Sequence, residues 1–111
     1  MKIKKITDEN ILFDDGTEVT YHHEQDCCEN VYADFKQLKD TDILSKDFKK
    51  IEIEGVKDSG IRLNGYFIPC YNEQNGYYSS DLEIIIKYPN GDELKKDVSE
   101  FVEERIDKWK R

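Results

Sequence analysis

The sequence predicts an α+β fold: a mostly antiparallel sheet with a short middle helix and a C-terminal amphipathic helix packed on it. Three observations carry this expectation. Apolar residues alternate with polar ones in short runs, the turn signals Asp15-Gly16, Lys57-Asp58-Ser59-Gly60 and Pro89-Asn90-Gly91 punctuate those runs, and helical spacing is confined to a short stretch at residues 34–39 and the stretch from residue 97 onward. With 111 residues and neither repeats nor an internal linker, residues 1–111 read as one domain.

The chain opens on a hairpin. Residues 2–7 alternate weakly around Ile3, and residues 10–14 carry Ile11, Leu12 and Phe13. Asp15-Gly16 then turns the chain into residues 17–23, where Val19, Tyr21 and His23 alternate with Glu18, Thr20 and His22. This phase puts His23 on the face of Val19 and Tyr21. If that face is the inner one, the imidazole needs a buried partner, which a metal or a backbone carbonyl supplies. Residues 31–35 either extend as a strand or open a short helix over residues 34–39, with Phe35 and Leu38 spaced for one face. The charge-rich stretch 40–50 reads as loop.

The second half reads as more sheet. Residues 50–54 alternate up to Gly55, Lys57-Asp58-Ser59-Gly60 is a turn, and residues 61–68 form a strand bent or bulged at Asn64-Gly65. Leu82, Ile84, Ile86 and Tyr88 share one face of the next strand and Ile85 takes the other, which makes that strand central. After the turn at residues 89–92, Asp97-Val98-Ser99-Glu100 matches an N-terminal helix-capping pattern. Val98, Phe101, Val102, Ile106 and Trp109 follow at helical spacing down one side of the closing helix.

Charged residues make up 38% of the chain against 37% hydrophobic, so the surface is very polar; thirteen aromatics and the regular Ile, Leu and Val spacing oppose disorder. Twenty-five acids against 17 bases give a formal net charge of -8. Such a field is repelled by bare nucleic-acid phosphates and anionic lipid and is drawn to basic protein surfaces. The expected partner is therefore a basic protein surface, with no direct nucleic-acid contact and no membrane. The chain has no long apolar span and no signal-peptide pattern, and its three cysteines are an odd count for a disulfide scaffold, so the expected compartment is the reducing cytoplasm.

All three cysteines and both histidines fall in two segments, His22-His23-Glu24-Gln25-Asp26-Cys27-Cys28 and the stretch from Ile68 to Ser80 that holds Cys70. Imidazole and thiolate are the ligands zinc prefers, and about four are needed for one tetrahedral site. The preferred set is His23, Cys27, Cys28 and Cys70, with His22 or Asp26 in reserve. Adjacent cysteines do not form the usual C-x-x-C knuckle and both ligate only where the backbone turns, while a set closed by four protein ligands implies a structural zinc. The plain alternative is that the cysteines are buried apolar fillers and His22-His23 a strand end.

The phrases His23-Glu24-Gln25-Asp26-Cys27-Cys28-Glu29-Asn30-Val31-Tyr32 and Pro69-Cys70-Tyr71-Asn72-Glu73-Gln74-Asn75-Gly76-Tyr77-Tyr78-Ser79-Ser80-Asp81-Leu82 resemble two recurrent motifs of small phage and prophage proteins, over roughly residues 10–88. In size, acidity and Cys/His content the chain is also similar to metal-binding anti-CRISPR proteins that inhibit type II effector nucleases. The resemblance implies a zinc-binding inhibitor acting in the host bacterial cytoplasm, with a CRISPR effector nuclease as partner and blocked loading of target DNA as the effect. Lysines interspersed among the acids depart from the inhibitors that mimic double-stranded DNA. The alternative is a small zinc-stabilised structural or regulatory phage module.

Asn75-Gly76 is a turn dipeptide, and exposed tyrosines around it make good interface anchors. Glu73, Gln74, Tyr77 and Tyr78 are the candidate contact residues, joined by Glu103, Glu104 and Asp107 from the closing helix. The rival class is a hydrolase, with Cys70 activated by His23 or a zinc-bound water served by Glu24. The chain has no Gly-rich oxyanion turn, no H-E-x-x-H motif and no phosphate loop, so it is read as a non-enzyme.

Overall fold

Among the described residues the alternating runs become ten β-strands in two sheets. The structure is a computed structural model, and it describes residues 1–23, 29–74 and 81–104. Strands β1 (Ile3–Ile6), β2 (Asn10–Phe13), β3 (Glu18–His22), β8 (Glu83–Lys87) and β9 (Glu93–Asp97) form one antiparallel sheet in the order β1-β2-β3-β8-β9. The second sheet takes β4 (Glu29–Ala33), β5 (Ile53–Val56), β6 (Gly60–Leu63), β7 (Tyr66–Gln74) and β10 (Glu103–Glu104). Its path is β10-β7-β6-β5, and β4 joins by pairing with β7. Every pair is antiparallel except β7 with β10.

Strand periodicity explains the layers. Ile11, Val19 and Ile86 stand opposite one another across β2, β3 and β8 and all three are buried, while the intervening residues face outward. In the second sheet Val31, Ala33, Ile61, Leu63, Ile68 and Cys70 turn inward. The buried residues of both sheets belong to one hydrophobic cluster. The central position expected for the strand of Ile84 and Ile86 is observed, since β8 lies between β3 and β9.

The Asn64-Gly65 dipeptide is a hairpin turn between β6 and β7, not a bend within one strand. Both residues have positive φ, 50° and 87°, the backbone that a tight two-residue hairpin requires and that Asn and Gly tolerate best. The Asn64 side chain also accepts from the Glu52 N–H and donates to the Lys50 carbonyl, each at 2.7 Å, which fixes the lead-in to β5.

The fold class departs from α+β: sheet dominates, and no described segment is an α-helix. The expected middle helix is a 3-10 helix over Phe35–Asp40; Phe35 and Leu38 are buried as their spacing implied, but three residues per turn align them. Within the expected loop, a second 3-10 turn at Ile43–Ser45 buries Ile43 completely.

The expected C-terminal amphipathic helix is overturned more deeply. A single 3-10 turn, Ser99–Phe101, is followed by extended backbone at Val102 and by β10 alongside β7. The capping chemistry is present, since the Asp97 carboxylate accepts from both the Ser99 N–H and its hydroxyl, but it closes one turn only. Val98 and Val102 enter the core, and the Phe101 ring occupies the space beside Gly55 where a Cβ would stand. Three apolar residues in five satisfy that cover, and the backbone then gains hydrogen bonds from β7 instead of from itself. Ile106 and Trp109 lie outside the described residues. Among the described residues no helix is long and apolar enough to cross a membrane.

Candidate functional site

The two segments singled out in the sequence both run from a strand of one sheet toward a strand of the other. Residues 24–28 join β3 to β4 and residues 75–80 join β7 to β8. Their ends are paired on each side: His22 stands opposite Glu83 where the first sheet meets them, and Glu29 opposite Gln74 where the second does. The topology therefore brings together the bases of two segments that begin about fifty residues apart.

His23 ties that junction. Its side chain is 2% exposed, and Nδ1 lies 2.7 Å from the Asp81 carbonyl and 3.1 Å from Asp81 Oδ1. Both neighbours are acceptors, so Nδ1 is the nitrogen that carries a proton toward Asp81. A carbonyl or carboxylate behind the far nitrogen is the arrangement that orients histidine toward a metal. The backbone carbonyl is also one of the two partners the strand phase had called for. His22, one residue earlier, is exposed.

Cys70 is placed differently. It is fully buried in the hydrophobic cluster, its Sγ lies 3.8 Å from the Ile68 carbonyl, and burial pushes the thiol up to about 12. It stands four positions before Gln74, so it lies about 13 Å along β7 from the position where residues 24–28 join β4. Among the described residues no three His, Cys, Asp or Glu side chains converge on a point that could hold a metal. Cys27, Cys28 and the reserve ligand Asp26 lie outside the described residues.

Of the predicted contact residues, those that are described fall on β7 and β10. Glu73 and Glu103, thirty residues apart, come together because β10 pairs with β7: Glu103 stands opposite Tyr71, and Tyr71 stands opposite Tyr32 on β4. The two tyrosine rings are 5.5 Å apart and tilted by 55°. Alternation puts Glu73 on the same face as Tyr71, next to Asn30. The outcome is a row of Tyr32, Tyr71 and Glu103, with Glu73 and Asn30 beside it. Gln74 and Glu104 have their strand positions set by the same pairing, whereas Tyr77, Tyr78 and Asp107 lie outside the described residues.

This face continues into a shallow depression that sequence reasoning missed. Asp8, Tyr21, Asn30, Tyr32 and Asp34 line it, and Glu9 borders the adjoining hollow with His22 and His23. Burial, and then the Glu9 and Asp8 carboxylates, raise the Tyr21 phenol above its ordinary value. Tyr21 is braced from behind by Phe35, edge to face at 5.7 Å. Of the lining residues the sequence placed only Tyr21, through its alternation with Val19 and His23; the rest depends on how the sheets meet. No family model, curated protein or solved structure matches this chain.

Proposed function

We propose that the protein is an inhibitory binding module whose acidic, tyrosine-bearing face takes a basic cleft of a nucleic-acid-handling enzyme. The candidate enzyme is the one the sequence resemblance names, a type II CRISPR effector nuclease, and the effect is to block loading of target DNA. The observation that carries this reading is the juxtaposition of Tyr32, Tyr71, Glu103 and Glu73 on one sheet face. Paired aromatics flanked by carboxylates suit lysine and arginine side chains, and a net charge of -8 speeds encounter with such a surface. The reading involves no turnover.

Zinc has a supporting role in this reading. His23 fits a ligand by its Asp81 brace, and Cys27 and Cys28 would complete the thiolate share with it. The core position of Cys70 argues for leaving it out of the set. A bound zinc would fix the junction of the two connections next to the contact face. The same clamp supports the second reading, a zinc-stabilised module with a structural or regulatory role.

The test is a titration of guide-loaded nuclease with this protein, reading target-DNA binding and cleavage, alongside metal analysis of the purified protein. Stoichiometric loss of DNA binding is expected, weakened by Tyr71→Ala and by Glu103→Lys, with close to one zinc per chain. Unchanged DNA binding and cleavage across several such nucleases would remove the inhibitor reading. Zinc absent after dialysis without chelator would remove the metal.

A further inference from the structure

We infer that the depression between the two sheets is an arginine-reading pocket, taking a guanidinium side chain of the basic partner between Tyr21 and Tyr32. The inference rests on the binding reading above for the class of partner, and it adds which side chain is read and where.

The lining is specific in kind. Two phenol rings supply aromatic surface, Asp8 and Asp34 supply two carboxylates, and Asn30 adds an amide. A planar, delocalised cation can lie against an aromatic face and still direct N–H groups to carboxylates at its edge; an ammonium is a compact point charge that keeps its water more tightly. The Tyr21 ring has little freedom to leave, because Phe35 packs edge-on against it and Phe35 is itself fully buried. Glu9 and Asp8 place carboxylates near the Tyr21 phenol, which burial and then these charges hold above its ordinary value.

The molecule also carries a cation of its own beside this depression. Lys36 Nζ lies 2.9 Å from Asp8 Oδ1 at the rim, and both side chains are more than half exposed. An exposed pair of this kind contributes little to stability, so an incoming guanidinium displaces the lysine at small cost. Lys36 is then an internal competitor that lowers the affinity for cations generally and disfavours the weaker ones.

The experiment uses three nine-residue peptides of alternating glycine and arginine, glycine and lysine, or glycine and citrulline, titrated into the full chain by calorimetry and by 1H-15N NMR. The arginine peptide is expected to bind at least about five-fold tighter than the lysine peptide, with shifts centred on Tyr21, Asn30, Tyr32 and Asp34, and citrulline is expected to fail. Asp34→Asn, which keeps the shape of the side chain, and Tyr32→Ala should each weaken arginine binding by about five-fold, while Lys36→Met should strengthen it about two-fold. Equal affinity for arginine and lysine, shifts centred elsewhere, or indifference to both Asp34→Asn and Lys36→Met would overturn the inference. Arginine binding without nuclease inhibition would sink the choice of enzyme and leave the pocket standing. Inhibition that responds to Tyr71→Ala but not to Asp34→Asn would do the reverse.

Discussion

His23 is the residue on which structural and metal roles can be separated, because its two ring nitrogens do different things. Nδ1 serves Asp81, and Nε2 is the one a zinc would take. An asparagine amide mimics the first nitrogen and a glutamine amide the second. His23→Ala should cost about 1–3 kcal/mol in urea unfolding, from a lost buried ring and a stranded carbonyl. His23→Asn should recover part of that stability and none of any metal content; recovery by glutamine instead would show that the Asp81 bond is incidental. Cys70 makes a second prediction. Below pH about 9 its thiol is protonated in both native and unfolded chains, so it confers no pH dependence there. Above that, the unfolded chain ionises while the native thiol, pushed up to about 12, holds its proton, so stability falls as pH rises across this interval. Cys70→Ala should flatten that part of the stability curve, whereas an unaltered slope would mean the thiol is less enclosed than its burial implies. Cys70→Ser should be the more destabilising change, since it buries a hydroxyl where a weakly polar sulfur sat.

The segment from Val98 to Glu104 shows what a strand of sequence can and cannot announce. Helical spacing of Val98, Phe101 and Val102 is real, and two of the three are buried as a helix would bury them. The same spacing also serves a short turn that drops two valines into the core and lays a ring on Gly55, and periodicity cannot distinguish these outcomes. What decides is an available edge of β7, a fact located thirty residues away. Far-UV circular dichroism should therefore give a sheet-type spectrum without a marked helical minimum, and a strong signal at the helical wavelengths would restore the amphipathic helix. Gly55→Ala should cost about 1–3 kcal/mol in thermal or urea unfolding, because its methyl overlaps the Phe101 ring. Phe101→Leu in the same chain should relieve most of that cost. Strand β9 was illegible for the opposite reason: Glu-Leu-Lys-Lys-Asp is exposed at every position, so there was no buried face to alternate. By contrast β2, β3 and β8 were legible because each has one face in the core. The junction of the two motif segments could be guessed from their chemistry, but the Tyr32, Tyr71 and Glu103 row could not, since it exists only once β4, β7 and β10 are in register.

Taken as a whole, the molecule separates its charge into two kinds of surface. The outer side of the first sheet interleaves signs, as in the row of Glu18, Lys87 and Glu93, where acid and base stand opposite each other across the strands. The face carrying Tyr32, Tyr71, Glu73 and Glu103, with Asp8 and Asp34 at the neighbouring depression, holds more acid among aromatics, offset at its rim by Lys36. Net charge and local charge then make different predictions for association with a basic partner. Glu103→Lys and Glu93→Lys each change the charge by two, from -8 to -6, so any effect of the overall field is the same for both. If the acidic face docks, Glu103→Lys should slow association with guide-loaded nuclease by several-fold at low salt and reduce its salt dependence, as rim charges do, while Glu93→Lys should leave the rate within about two-fold. Tyr71→Ala should act on the other constant and speed dissociation, since aromatic burial sets residence time more than encounter. Stopped-flow association at several ionic strengths measures all three. Equal slowing by the two charge reversals would mean that only the overall field matters and that the face has no privileged role in docking.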